Sequence, residues 1–155
     1  MIFKYCAECG HKLEDIKCGD DDCKICPLCK KLYGNGPLPV VEVLVVNEFN
    51  EILLLKQNYI SKTKWTVVSG YMKNGETIED AVTREVKEET GQNVINCKYI
   101  SSYYFAPKQL IMIGFIAYVK KSQFSNSVEV DDIKWYKMDE VDHVIARENN
   151  CSGMH

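Results

Sequence analysis

The chain has 155 residues and a formal net charge of −3, with 46% hydrophobic and 26% charged residues. This balance is typical of a globular protein and excludes intrinsic disorder, collagen and a coiled coil. A protein that binds nucleic acid mainly by neutralising phosphates is normally basic, so that class is disfavoured, while a nucleotide or an RNA end stays open as a ligand. Because the chain shows no membrane-spanning apolar run and no apolar leader, we expect a cytoplasmic protein without a membrane partner.

Six of the eight cysteines lie before residue 30. Two Cys-x2-Cys pairs, Cys6 with Cys9 and Cys26 with Cys29, are separated by sixteen residues. Such pairs bring four thiolates to one tetrahedral Zn²⁺ in closed structural sites. We therefore predict a small zinc ribbon over residues 1–36. A closed site of this kind has no open coordination position, so we expect no catalysis there.

Two further cysteines leave the ligand set open. Cys23 also stands in Cys-x2-Cys spacing with Cys26, so Cys6, Cys9, Cys23 and Cys26 form a competing quartet. We favour the set with Cys29 because that residue leads into the exit of a typical ribbon. Cys18 and Cys23 are then expected to be free surface thiols.

A new composition starts after the turn-rich linker at 34–39, and we predict a second domain over residues 37–155. Runs of β-branched and apolar residues predict strands at 40–46, 51–57, 65–69, 98–105, 110–119 and 133–137. Helical periodicity predicts a helix over 77–90, ended by Gly91, and a last helix capped by Asp139 and running to Arg147. Strands mixed with two helices predict an α+β fold, in which helices cover a mixed sheet.

The first of these helices carries carboxylates on an unexpected face. At about 100° per residue, Glu85, Glu88 and Glu89 fall on the same side as the apolar Ile78 and Val82. Carboxylates on an inward face repel one another unless something neutralises them. Mg²⁺ does this through oxygen ligands and is usually shared between carboxylates and substrate phosphates. The pattern therefore predicts a site for an anionic substrate, most simply a diphosphate.

The stretch Gly70–Gly91 matches the Nudix box, which reads Gly, five residues, Glu, seven residues, then Arg-Glu-aliphatic-x-Glu-Glu-x-Gly. The matching residues are Gly70, Glu76, Arg84, Glu85, Val86, Glu88, Glu89 and Gly91. The chain thus resembles the Nudix hydrolases, which implies an α/β/α sandwich after the ribbon. The box normally ends in an aliphatic residue, where this chain has Gln92; that departure concerns packing more than chemistry.

The resemblance implies a role for each matching residue. Glu85 and Glu89 are expected to be the principal ligands of Mg²⁺ or Mn²⁺, with Glu88 close by as ligand or base. The Gly70 carbonyl is expected to join the metal shell, and Arg84 and Glu76 to pair so that Glu85 is held in place. Glu85 and Glu88 are both candidates for the general base that activates the attacking water.

Family members commonly add a late carboxylate before a strand that contains tryptophan. The stretch from Glu129 to Trp135 resembles that pattern. Asp132 stands in the usual position, and Glu129 is the alternative. Tyr71 and Tyr104 are candidates to stack on a base or a nicotinamide ring.

The order of a ribbon followed by a Nudix domain resembles the zinc-ribbon NADH pyrophosphatases. The similarity includes Cys6–Cys9 with the following Gly-His, and Ser-Gly-Tyr-Met at 69–72. That branch carries Ser-Gln-Pro-Trp-Pro-Phe-Pro after the box; residues 101–107 keep the serine, an aromatic at Tyr104 and the last proline. The resemblance implies hydrolysis of NADH or an NAD-like dinucleotide first, then ADP-ribose or a nucleotide sugar. Some members remove NAD caps from RNA.

Two other classes of function remain. One is a non-catalytic sensor that uses the Nudix fold to bind a nucleotide, which the altered signature and Gln92 favour. The other is a zinc-ribbon adaptor for RNA or protein, against which the acidic balance speaks. The ribbon is also expected to help form a homodimer, testable by sedimentation with and without zinc.

Overall fold

The structure is a computed structural model that describes residues 3–34, 36–125 and 127–145. The chain divides into two compact units, Met1–Pro37 and Leu38–His155. The division falls in the turn-rich segment that precedes the first strand predicted for the second domain. None of the described helices is long and apolar enough to cross a membrane.

The first unit is a three-stranded antiparallel sheet in the order β1-β2-β3: Glu14–Cys18, Asp21–Ile25 and Leu32–Tyr33. Gly19 turns the chain between β1 and β2 with a φ of 66°, which glycine accepts without steric cost. The small core consists of Cys6, Leu13 and Cys26, with Phe3 and Tyr33 packed against it. Sequence analysis predicts no strands here because these short, mostly polar segments carry little apolar alternation.

The second unit is built around a mixed sheet whose strands are ordered β7-β8-β4-β5-β9, with β6 paired to β4. Only the pairing of β4 with β8 is parallel among the described strands of this sheet. The strands are β4 Leu38–Val46, β5 Glu51–Lys56, β6 Val68–Tyr71, β7 Val94–Phe105, β8 Leu110–Val119 and β9 Asp132–Lys137. The helices are α1 Ile78–Thr90 and α2 Met138–Val144, with a short 3₁₀ turn at Ala106–Lys108.

Alternation along the strands builds one core on each face of this sheet. On β4, Val41, Val43 and Val45 face α1 and pack with its buried Val82 and Val86. The other face holds a second cluster, in which Val46, Ile52 and Leu54 pack with residues of α2. Helices on both faces of a mixed sheet confirm the predicted α+β fold, an α/β/α sandwich.

The helix α1 agrees with the predicted span because its end signals are local. Thr77 is the N-cap, and its hydroxyl accepts from the Asp80 N–H while Asp80 accepts from the Thr77 N–H. Gly91 ends the helix with a φ of 77°. Gln92 follows, fully buried, and exchanges four hydrogen bonds with Ser122 and Gln123. The non-aliphatic residue therefore ties the helix end to the segment after β8, a packing role.

Three predicted boundaries were wrong, the first of them at β7, which begins at Val94 and not at residue 98. The third strand of the second unit begins at Val68, while Trp65 and Thr66 form only isolated bridges to other segments. The last helix begins at Met138 rather than after an Asp139 cap, because Glu140 accepts from the Lys137 N–H at 3.1 Å and satisfies that helix end. Arg147, its predicted end, lies outside the described residues.

Candidate active site and zinc ribbon

The carboxylates of α1 meet the edge of β6. Glu85 and Glu89 are only 8% and 5% exposed, whereas Glu88, one position away, lies at the surface. The apolar residues Ala81, Val82 and Val86 bury the same side of the helix in the core. The prediction that carboxylates continue an apolar stripe is therefore correct for Glu85 and Glu89.

Arg84 joins this helix to the loop that precedes it. Its guanidinium binds Glu76 through two bonds of 2.9 and 2.7 Å and donates to the Tyr71 carbonyl at 3.0 Å. It also donates to Glu85 at 2.6 Å and to Glu88 at 3.2 Å. The bidentate pair with Arg84 and the Lys73 N–H lower the pKa of Glu76 to about 2. Arg84 and Glu76 thus occupy the positions expected of residues that hold Glu85.

Replacing Arg84 by lysine should therefore impair the site without removing a charge. Lysine cannot reproduce a planar fork that serves three carboxylates, so Glu85 should lose its fixed orientation. We expect a fall of about 10- to 100-fold in activity, expressed as a higher Mg²⁺ concentration for half-activation. Metal-activation curves of the two proteins check this, and an unchanged half-activation concentration would contradict the positioning role.

Gly70 is required by close approach rather than by backbone conformation. A Cβ atom built on this residue would overlap the carboxylate of Glu85. The Glu85 carboxylate therefore occupies the space that any larger side chain at position 70 would need. The expected contribution of the Gly70 carbonyl to the metal shell stays a prediction.

Replacing Gly70 by alanine should displace Glu85 by an ångström or more. A displacement of that size can cost about 100-fold in rate, and we expect a loss of this order in kcat/KM. Gly36→Ala serves as the matched control, because a Cβ there meets open space. Equal activity of Gly70→Ala and the control would show that the Glu85 position is not critical.

The buried carboxylate of Glu89 has the strongest electrostatic signature of the site. Burial, together with the nearby Glu85 and Glu129 carboxylates, raises the pKa of Glu89 to about 8. The Ser69 N–H and the Gln57 side chain stabilise its charged form only partly. Among the described residues, no hydrogen-bond partner reaches Oε2 of Glu89.

Burial also raises the pKa of Glu85, although Arg84 opposes that effect. Two buried carboxylates close to a third one are unfavourable unless a cation neutralises them. A donor set made only of carboxylate oxygens suits a hard divalent cation such as Mg²⁺ or Mn²⁺. The residues therefore fit the cation that the box implies.

The structure places the two late carboxylates differently. Glu129 lies close enough to Glu89 to raise its pKa. Asp132 is exposed at the start of β9, and its Oδ1 accepts from the Ile133 N–H at 2.8 Å. The structure thus favours Glu129, the alternative from sequence, as the late carboxylate.

Sequence analysis did not identify two residues that lie near the carboxylates of Glu85 and Glu89. Gln57 is only 3% exposed and stabilises the charged form of Glu89. Burial raises the pKa of Tyr59, and the nearby carboxylates of Glu89, Glu129 and Glu85 raise it further. Both follow β5 in a segment without any metal-binding motif. A buried glutamine after an apolar strand is a weak signal that only the fold makes specific.

The two candidate stacking tyrosines lie on opposite faces of the sheet. Tyr71 is in register with Val40 of β4. Val40 is in register with Met112 of β8, and Met112 is in register with Tyr103 of β7. Tyr104 follows Tyr103 on the same strand and therefore points to the other face. Both Tyr71 and Tyr104 are about half exposed, at 55% and 53%. The structure brings Tyr103, not Tyr104, onto the face of Tyr71.

The four favoured cysteines converge in the first unit. The thiol sulfurs of Cys6, Cys9, Cys26 and Cys29 all lie within 4.8 Å of one another. The Cys29 N–H donates to the Cys26 sulfur at 3.3 Å, which is the hydrogen bond expected at a knuckle. This set is compatible with a tetrahedral zinc site, and no cluster containing Cys23 is found among the described residues.

The electrostatics of the four thiols also suit a dication. The Tyr33 hydroxyl donates to the Cys6 sulfur at 3.3 Å and lowers the pKa of that thiol to about 6. Hydrogen bonding with Cys9 and burial raise the pKa of Cys29 to about 12. Thiols this close cannot all ionise by themselves, whereas Zn²⁺ binds four thiolates.

Cys18 and Cys23 occupy diagonal positions on β1 and β2, and the nearby Cys18, together with burial, raises the pKa of Cys23 to about 11. The expectation of two surface thiols was wrong for Cys23, which is 9% exposed and lies beside Gly34. Cys18 is half-buried.

A family model for the NUDIX domain matches residues 36–152 of the chain. The chain belongs to the Nudix family. The NAD-capped RNA hydrolase NudC of Vibrio atlanticus (strain LGP32) is 32% identical over 140 residues, which cover 86% of this chain and 49% of that protein. The protein of the same name from Escherichia coli O9:H4 (strain HS) is 30% identical over 139 residues, covering 89% and 53%. The Nudix chain thus spans about half the length of these curated relatives.

Solved structures support the same fold. A NUDIX hydrolase from Nitrosomonas europaea has a TM-score of 0.67 at 25% identity, over 94% of this chain and 85% of that chain. The NUDIX domain of Shewanella oneidensis NrtR, crystallised with ADP ribose, has a TM-score of 0.60 at 17% identity, over 78% and 84%. The second likeness concerns the fold alone. The Nudix resemblance predicted from Gly70–Gly91 is confirmed.

Proposed function

We propose that this Nudix chain is a divalent-cation-dependent pyrophosphohydrolase that cleaves the diphosphate of a nucleoside diphosphate derivative. The observation that carries the proposal is the buried, unpartnered Oε2 of Glu89 beside Glu85 and Glu129. Such an arrangement is costly for a fold and useful for binding a cation between the protein and a diphosphate.

Glu85, Glu89 and Glu129 would hold Mg²⁺ or Mn²⁺, which would supply charge neutralisation and a more acidic bound water. The chain itself supplies the geometry. Arg84 holds Glu85, while the Ser69 N–H and the Gln57 side chain stabilise the charged form of Glu89. Of Glu85, Glu88 and Glu89, only Glu88 is exposed to solvent. We therefore assign to Glu88 the acceptance of the proton of the attacking water.

We propose an NAD-like dinucleotide as the substrate class, with NADH first and ADP-ribose or a nucleotide sugar next. The curated relatives that match this chain are named NAD-capped RNA hydrolases, which supports such a substrate and adds an NAD-capped RNA end as a second form of it. Structural zinc in the ribbon and a homodimer complete the proposal.

A substrate panel tests it. NADH, NAD⁺, NAD-capped RNA, ADP-ribose, diadenosine polyphosphates, nucleotide sugars and nucleoside triphosphates are incubated with Mg²⁺ or Mn²⁺, and products are separated by chromatography. Release of AMP and nicotinamide mononucleotide from NADH is the expected result, and ¹⁸O-labelled water identifies the attacked phosphorus. Cation-dependent turnover of another compound of the panel would change the assigned substrate and leave the proposed diphosphate hydrolysis unchanged. Nucleotide binding without turnover by folded, zinc-loaded protein would favour the non-catalytic sensor.

A further inference from the structure

Among the described residues, α2 packs against β5 and β9, and the residues on the same face of β6, β4, β8 and β7 stand in two rows. One row runs from Tyr71 through Val40 and Met112 to Tyr103. The neighbouring row runs Ser69, Glu42, Gly114 and Ser101 across β6, β4, β8 and β7. Beyond it, Leu44 and Ile116 pack into the α2 cluster. The second row therefore lies between a row with a tyrosine at each end and an apolar cluster.

Glu42 is a charged residue within an otherwise apolar stretch of its strand. It stands on β4, a central strand whose other residues from 40 to 46 are all apolar, and it is half-buried. The Tyr103 hydroxyl donates to Glu42 Oε2 at 2.8 Å. An ionised carboxylate can accept about four hydrogen bonds, so the pair retains acceptor capacity for a ligand. A half-buried carboxylate on a central strand is costly unless hydrogen-bond donors reach it.

The neighbours of Glu42 leave its carboxylate accessible. Its register partners are Ser69 on β6 and Gly114 on β8, two of the smallest residues. Larger residues stand one row away, where Tyr71, Met112 and Tyr103 form a wall. The half-buried Glu42 carboxylate thus stands between two small residues, and the adjoining row has a tyrosine at each end.

The strand β6 connects the surroundings of Glu42 to the carboxylates of Glu85 and Glu89. Its Ser69 N–H stabilises the charged form of Glu89, and its Tyr71 carbonyl accepts from Arg84. Residues i and i+2 of a strand present their backbone groups to one edge, so the cluster lies along a single edge of β6. The side chains of the same two residues lie on the face of Glu42. A substrate whose diphosphate lies at that edge can therefore extend a ring over this face.

We infer that Glu42, positioned by Tyr103, recognises a hydrogen-bond-donating amino or carboxamide group on a planar ring of the substrate, which packs beside Tyr71. The inference rests on the proposed function and specifies the substrate it takes. A carboxylate accepts N–H groups and repels another carboxylate. An NAD-like dinucleotide carries such donors at both ends: the adenine amino group and the nicotinamide carboxamide.

The variants Glu42→Ala and Tyr103→Phe test this, with Glu79→Gln on the exposed side of α1 as the matched control. We expect Glu42→Ala to raise KM for NADH about 10- to 100-fold while kcat changes less than about threefold, the loss of a hydrogen bond to a charged group. Tyr103→Phe keeps the carboxylate and should raise KM by a smaller factor. The control should retain both constants, and thermal unfolding verifies that each variant is folded.

Two analogues distinguish the sources of the donor. Reduced nicotinamide hypoxanthine dinucleotide lacks the adenine amino group, and nicotinic acid adenine dinucleotide carries a carboxylate instead of the carboxamide. The analogue that lacks the recognised donor should react poorly with the wild type, and Glu42→Ala should abolish that discrimination. A wild-type KM for Glu42→Ala on every hydrolysed substrate would overturn the inference and leave the proposed hydrolysis intact.

Equilibrium binding distinguishes a failure of the Glu42 inference from a failure of the proposed hydrolase function. Dissociation constants for NADH are measured with Ca²⁺ in place of Mg²⁺. If the wild type binds NADH without turning over any substrate and Glu42→Ala weakens that binding about 10-fold or more, the hydrolase proposal fails and the recognition stands. If the wild type turns over NADH and both proteins bind it equally, the recognition fails alone.

Discussion

Replacing Glu89 by glutamine should lower kcat about 1,000-fold, the largest loss that we expect from any single carboxylate of the site. Glutamine retains the shape of the side chain but removes the negative charge that a cation needs. Electrostatic contributions of a bound metal amount to several kcal/mol of transition-state stabilisation, which corresponds to a factor of this size. The measurement is kcat for NADH, or for the best substrate of the panel, at saturating Mg²⁺. Wild-type turnover of this variant would refute the ligand assignment.

The same substitution should stabilise the protein when no Mg²⁺ or Mn²⁺ is present. The pKa of Glu89 is about 8 in the folded protein and near 4.5 in the unfolded chain. Between these values the folded state holds a proton that the unfolded state has lost, so the free energy of unfolding falls as pH rises from about 4.5 to 8. Glutamine does not ionise, and Glu89→Gln should therefore be more stable than wild type above pH 8, by about 1–3 kcal/mol.

Thermal unfolding from pH 5 to 9, in buffer free of Mg²⁺ and Mn²⁺, measures this effect. The matched control is Glu88→Gln, since Glu88 is on the same helix but exposed and should show no such gain. A Glu89→Gln variant that is less stable than wild type at pH 8 would mean that Glu89 has a favourable partner in the cation-free protein. Activity lost together with stability gained would identify Glu89 as a residue retained for binding a cation rather than for folding.

The helix that carries this site could be read from sequence because its signals are local. The Thr77 cap, Gly91 and the spacing of Glu85 and Glu89 lie within one continuous stretch. Burial of the carboxylate side follows from the period of an α-helix alone. The box motif adds the partners Arg84 and Glu76, which are also close in sequence.

What could not be predicted depends on pairing between distant strands. Which tyrosine shares the face of Tyr71 is decided by the register of β7 on β8 and of β8 on β4, and a shift of one residue reverses the answer. The choice between Glu129 and Asp132 depends likewise on where the chain enters β9. Glu42 carries no motif at all, and only its neighbours across three strands indicate a role.

Removing zinc from the ribbon should unfold the first unit and leave the second unit folded. The core of the first unit consists of Leu13 and two proposed zinc ligands, Cys6 and Cys26, so loss of the ion removes most of what holds it together. Structural zinc contributes about 10–16 kcal/mol of apparent binding energy in zinc-finger peptides, which exceeds what so small a core can supply. Hydrogen exchange of residues 5–34 should accelerate after chelation. Both tryptophans, Trp65 and Trp135, belong to the second unit, so their fluorescence reports whether that unit keeps its fold.

Cysteine variants identify the ligand set in the same experiment. Cys29→Ser should lose the one equivalent of zinc measured by metal analysis, whereas Cys23→Ser and the half-buried control Cys18→Ser should retain it. The reason is that the Cys29 sulfur belongs to the group within 4.8 Å, while Cys23 and Cys18 lie close to each other at the hairpin. Zinc lost from Cys23→Ser and retained by Cys29→Ser would establish the competing quartet. Zinc retained by all three variants would show that binding of the ion does not depend on a fourth thiolate. Three protein ligands and a water would then suffice, which is the composition of an open rather than a closed site.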